Sequence, residues 1–210
     1  MALLHVTDLS PADWISGSDV AWSQLVTFGP PRFGAYARLR FLRDPAYQGE
    51  TEVEAGRTAI GDGRDQWPTL AETLAMHTRT AGDCYFCLWE GWPLMSVDGC
   101  RPRGSVGTAL SGPKLTVPSR AAVPHRAYFL FRGPLSDIGE WSDPGIVPGE
   151  LEGLEPAFIW PTDQAWCVAN DVDPHWAGIG ADPSVIQRLL TEPRLDCVEA
   201  DPTAKQPAYR

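Results

Sequence analysis

The sequence has no long hydrophobic run. No stretch approaches the roughly 18 apolar residues that a membrane-spanning helix needs. Residues 1–7 carry no basic segment of the kind that opens a signal peptide. Neither a membrane span nor export is expected, and the reading is a cytoplasmic protein. Positive charge is scarce as well. Lys and Arg total 17 against 27 Asp and Glu, a net charge of −10. A nucleic-acid binder needs a basic footprint to displace counterions, so no nucleic-acid partner is expected. Cysteine is sparse. The five cysteines are odd in number and irregularly spaced, which suits reduced thiols rather than a disulfide framework.

The common catalytic signatures are missing too. There is no G-x-S-x-G elbow, no Walker-type phosphate loop and no G-x-G-x-x-G after a strand. The histidines His5, His77, His125 and His175 show no H-E-x-x-H spacing. No cofactor is expected.

What is present describes a domain rich in turns. At 210 residues and 43% hydrophobic, the chain can bury a sizeable core. Residues 1–200 read as a single domain and 201–210 as a loose polar tail. The 20 glycines and 20 prolines point to many loops rather than a helical bundle. Nine tryptophans supply large buried areas, each with an N–H that wants a partner.

Alternation over residues 34–43 predicts a half-buried strand with Arg38 and Arg40 on a basic outer face. The runs at 84–89 and 126–131 read as central strands. Residues 157–160 and 165–170 read as a strand pair, with short strands at 115–117 and 195–199. Helices are expected at 8–16, 19–26, 65–77 and 182–191, the last capped by Asp182 with Pro183 at its first position. Residues 44–63, 94–114 and 136–155 read as loops. The order predicts the α+β class: an antiparallel or mixed β-sheet with a few helices packed on one side.

Chemistry concentrates between residues 156 and 180. Asp171, Asp173 and His175 alternate, so an extended chain would turn all three to one side, a possible divalent-metal set. The bland alternative is a solvated strand end. Trp160, Trp166 and Trp176, with Asp163, are the candidate binding residues, either as surface anchors or as a sugar-stacking platform; core packing is the competing reading. Glu90 between Trp89 and Trp92 has the surroundings of a general acid, and Asp163 and Asp171 complete the candidate catalytic carboxylates. Cys84 and Cys87 lie three apart in a strand, so they point to opposite faces and read as small buried hydrophobes.

The C-terminal quarter resembles the closing segment of bacterial SUKH-like domains. Trp160-Pro161-Thr162-Asp163-Gln164-Ala165-Trp166, then Gly178-Ile179-Gly180, then the helix over 186–190 carry the likeness. The resemblance implies an α+β fold and a non-enzymatic role as an immunity protein that binds and neutralises a toxin. An acidic surface would speed encounter with a basic protein partner. The competing expectation is an enzyme or a sugar or nucleotide binder with a Trp-lined acidic cleft.

Overall fold

The computed structural model describes residues 2–56, 63–95, 102–117, 126–146, 149–172 and 174–210. Asp173, Cys100 and His125, and parts of the expected loops, lie outside the described residues. The fold is α+β, as the element order predicts. The chain opens with β1 (Leu3–Val6), α1 (Asp13–Ser16), α2 (Trp22–Phe28) and β2 (Ala35–Arg40). Next come α3 (Glu52–Gly56), α4 (Trp67–Ala75), β3 (Cys84–Trp89), β4 (Pro93–Met95) and β5 (Pro102–Ser105). Then follow α5 (Val106–Ala109), β6 (Leu115–Val117), β7 (Arg126–Gly133) and β8 (Trp141–Ser142). The last elements are β9 (Phe158–Pro161), β10 (Trp166–Ala169), β11 (Trp176–Ala181), α6 (Pro183–Thr191) and β12 (Cys197–Glu199).

Among the described residues, ten strands join one sheet in the order β12-β2-β11-β10-β9-β3-β7-β1-β8, with β6 also on β7. Every pairing is antiparallel except β1 with β8. β4 and β5 form a separate hairpin inside the segment expected to be a loop. No described helix is long and apolar enough to cross a membrane.

Register sorts the side chains into two very different faces. Phe131, Phe86, Ile159, Val168, Ile179 and Ala37 are successive cross-strand neighbours, a single apolar row across six strands. Such pairs contribute about 0.2–1 kcal/mol each beyond burial. Leu70 and Leu74 of α4 and Val185, Ile186 and Leu189 of α6 close over this face. The opposite face carries Tyr85, Trp160, Tyr128, Phe158 and Cys167, and is covered by Ile15 of α1 and Leu25 and Val26 of α2. Helices therefore pack on both sides of the sheet, not on one. The middle strands are apolar on both faces because both are covered.

Strand β2 also departs from expectation. Its outer face is not solvated, and Arg38 is only 5% exposed. β12 and β11 pair with its two edges, and on its outer face the Arg38 side chain lies over the Trp176 ring and against Asp44. β11 is a strand that the sequence analysis does not anticipate, and two glycines interrupt it. Gly178 has a packing reason: a Cβ there would lie 2.0 Å from the carbonyl oxygen of Thr27. The absent side chain lets the end of α2 lie directly on the sheet. The tail is docked rather than loose. The Ala200 amide donates to the Tyr36 carbonyl at 3.0 Å, and the Arg210 amide to that of Glu50 at 3.0 Å.

Candidate functional site, an acidic loop pinned by arginines

Alternation along β2 places Tyr36, Arg38 and Arg40 on the aromatic face, beside Trp176 of β11. The Arg38 guanidinium lies over the Trp176 ring at 5.5 Å. It grips Asp44 with both ends, Nη1 to Oδ1 at 2.6 Å and Nη2 to Oδ2 at 3.0 Å. The fork geometry is what favours Arg over Lys at such a site. Its Nε is buried and makes no hydrogen bond among the described residues. Arg40 reaches Asp44 at 3.3 Å and Asp196 at 2.6 Å.

Burial works to raise the Asp44 carboxyl pKa, but the hydrogen bonds and charge of Arg38, with His175 and Arg40, bring it down to about 2. His175 Nε2 lies 3.3 Å from Asp44 Oδ1. Burial holds the His175 imidazole below its ordinary pKa, although Asp44 pulls the other way. The histidine is therefore held neutral, its ring edge-to-face on Tyr209 with centroids 4.6 Å apart.

A second pin follows at Glu50, six residues after Asp44. The buried carboxylate of Glu50 takes two contacts from Arg43, one of them Nη1 to Oε2 at 2.9 Å, and accepts from the Ala46 amide at 2.6 Å. The Tyr209 hydroxyl donates to the Arg43 carbonyl and ties the tail to the same point. A third fastening is local. Thr51 and Glu54 form a reciprocal cap on α3: Thr51 N donates to Glu54 Oε2 at 2.9 Å, and Glu54 N to Thr51 Oγ1 at 3.3 Å.

These pins leave a specific surface facing water. Tyr47 is 58% exposed and Val53 is 67% exposed. Glu52 and Glu54 are exposed beside Val53. Partial desolvation, then the charges of Glu54 and Glu50, hold the Tyr47 phenol above its ordinary pKa. The loop is thus an apolar pair among carboxylates, on a backbone fixed at both ends.

The residues singled out from sequence lie elsewhere and do not converge. Trp160, Trp166 and Trp176 are at most 3% exposed, so they are neither surface anchors nor a stacking platform. Their strands lie inside the sheet, where both faces are covered. Trp160 stacks on Tyr85 with centroids 5.6 Å apart, and Trp176 packs on Phe28 at 5.1 Å. Trp166 is on the other face and donates its indole N–H to the Leu74 carbonyl at 3.2 Å.

Asp163 sits in the turn between β9 and β10. It accepts from Thr78 Oγ1 at 2.7 Å and from the Arg79 amide at 2.9 Å, which stitches that turn to the segment leading into β3. Glu90 pairs with Lys114 at 2.6 Å. Asp171 pairs with Arg126, whose guanidinium lies between Trp22 at 5.6 Å and Trp89 at 5.2 Å. Each candidate catalytic carboxylate thus serves a different local structure. Asp171 and His175 likewise belong to separate networks. Among the described residues no cluster of three His, Cys, Asp or Glu has a metal-holding arrangement.

Cys84 faces the core under α4 and α6 and Cys87 the core under α1 and α2, as their spacing requires. Burial pushes the Cys84 thiol up to about 12 and the Cys87 thiol well above its ordinary value. Neither has the thiolate character that redox chemistry needs.

Tyr47, Glu50, Val53 and Tyr209 escaped sequence reasoning. One signal was available: arginines at 38 and 40 on a strand, then Asp44 directly after its end. Two charges on alternate positions of a covered strand require partners nearby. Compared with protein-family models, curated proteins and solved structures, the chain matches none.

Proposed function

We propose that this chain is a cytoplasmic, acidic protein-binding domain whose partner is a basic protein, with toxin neutralisation as its specific form. One observation carries the reading: Tyr47 and Val53 stand exposed among Glu52 and Glu54 on a loop whose ends are fixed by two arginine–carboxylate pairs, Arg38 with Asp44 and Arg43 with Glu50. A fixed loop loses little conformational entropy on binding. Tyrosine is a frequent anchor residue, and surrounding carboxylates steer a cationic surface toward it. The net charge of −10 adds long-range attraction for the same class of partner. The SUKH-like resemblance of the C-terminal quarter supports the same reading by analogy.

Affinity capture from lysate at physiological salt tests it, with wild type beside a Tyr47→Ala/Glu52→Lys/Glu54→Lys variant. The expected result is a basic protein held by the wild type and lost by the variant. A partner held equally by both chains overturns the reading, as does recovery of none.

A second reading, a sugar or nucleotide site, rests on one cleft. A space of about 540 Å³ lies between α2 and the tail, with Phe28 and Trp176 at its base and Ser23, Gln24, Thr203 and Lys205 on its walls. A thermal-shift screen of sugars and nucleotides decides this reading. A shift that Thr27→Trp abolishes supports it, and no shift removes it.

A further inference from the structure

Helix α4 has work beyond the core. Trp67, Leu70 and Leu74 form its buried stripe. Pro68, Ala71, Glu72 and Ala75 lie along a neighbouring stripe at helical spacing, and this one borders open space. The facing wall is the segment around the single helical turn Leu135–Asp137, which the Leu135 amide ties to the Ala81 carbonyl at 2.8 Å. Between the walls runs a groove of about 510 Å³. That is within the range of roughly 300–1,000 Å³ typical of ligand-holding clefts. Its lining is mainly apolar, with Pro68, Ala75 and Ile138 prominent. Its two charged lining residues are both acidic, Glu72 on the helix and Glu140 across from it, with Ser136 a neutral polar one.

Resting on the protein-binding reading above, we infer that this groove receives an apolar side chain of the partner, flanked by Lys or Arg that pair with Glu72 and Glu140. Charge selects the occupant. Carboxylates on both walls repel an acidic or phosphorylated segment and attract a basic one. A second copy of this chain is disfavoured by its own charge of −10. The apolar lining requires something hydrophobic between those cations, because polylysine alone would leave the lining wet. Glu72 already meets Arg194 at 3.2 Å, but both side chains are more than half exposed, and such a pair exchanges readily for another.

Selection from a random peptide library displayed on phage, against the immobilised full chain, tests the inference. Enriched peptides are expected to carry an aliphatic or aromatic residue with Lys or Arg within three positions. Ala75→Trp fills the groove from a half-buried position and should weaken those peptides by about tenfold or more, the scale of one anchor residue. Glu140→Lys changes an exposed rim, cannot threaten the core, and should weaken them by about fivefold. Circular dichroism confirms that each variant is folded. Enriched peptides without that pattern overturn the inference, as do peptides that ignore both substitutions, or no enrichment at all. If the peptides ignore the groove but lose binding with Tyr47→Ala, the groove is wrong and the acidic-loop reading stands. If binding survives all three substitutions, both readings fall.

Discussion

The two faces of the sheet solve the same problem in opposite ways. The face under α4 and α6 is closed by a row of Phe, Ile, Val and Ala that runs in register over six strands. Its stability comes from area removed from water, which is non-directional and indifferent to pH. The face under α1 and α2 is built from indoles, phenols and guanidinium groups. Arg32 lies over Trp14, Trp14 meets Trp160, Trp160 stacks on Tyr85, and Arg132 lies over Tyr85. Arg38 over Trp176 ends this face at the acidic loop. These contacts demand particular angles and charges. The face under α4 and α6 therefore holds the fold, while the aromatic and charged face sets where the loop stands.

The largest expected effect tests the face under α4 and α6. Trp166→Ala removes a side chain with no exposed surface, together with the hydrogen bond its N–H gives the Leu74 carbonyl. A loss of about 3–5 kcal/mol is expected from the cavity and transfer terms, read as a fall in the urea midpoint. A loss below about 1 kcal/mol would show that this face is not the main source of stability.

The next effect tests the charged face through an asymmetry. Asp44→Asn leaves the buried Arg38 guanidinium facing a neutral amide, and a loss of about 3 kcal/mol is expected. Replacing both partners, as in Arg38→Met/Asp44→Ala, removes the stranded charge and should recover most of that loss. The single and double variants together separate the value of the pair from the cost of breaking it. If the double variant is the less stable of the two, the pair contributes stability directly and the contrast between the faces weakens.

The sequence showed more of the first face than of the second, for a physical reason. Cys84–Trp89 matches its expected limits, and β7, β9, β10 and α6 come within two residues of theirs. All follow from apolar runs and from the Asp182-Pro183 cap, which are local signals. β11 was missed because Gly178 and Gly180 dilute its strand character. Their purpose is visible only once Thr27 and Phe33 are packed above them. β1 and β8 are short edge pieces whose parallel pairing no local pattern announces. The acidic loop was hidden for the same kind of reason. Its carboxylates looked solvated because what surrounds their nearby partners Arg38 and Arg43, namely Trp176 over one and Tyr209 on the carbonyl of the other, comes from distant parts of the chain. Conversely, the tryptophans between 156 and 180 drew attention as a site because nothing local says that both faces of their strands are covered.

The smallest expected effect is a pH dependence confined to the charged face. His175 is held below its ordinary pKa, burial being the largest cause. Asp44 and Glu52 oppose that shift, while Arg38 reinforces it. The folded state then binds fewer protons here than the unfolded state, so stability rises with pH across the titration. The contribution is fully present above about pH 6.5, the ordinary imidazole value, and is lost as pH falls below it. Asp44, brought down to about 2, acts in a separate window. Its contribution is complete above about pH 4 and is lost only below that. Between pH 7 and 4.5 the histidine is therefore the moving part of this network. Urea midpoints of wild type and His175→Gln, compared at pH 7.5 and 5, should draw together at the lower value. Amide exchange, corrected for its intrinsic pH dependence, should quicken at Phe41 and Leu42, whose amides bond the His175 carbonyl. The amides of Phe86 and Val168 should not change. A uniform response in both places would mean that the two faces open together, and the charged end would then have no local equilibrium of its own.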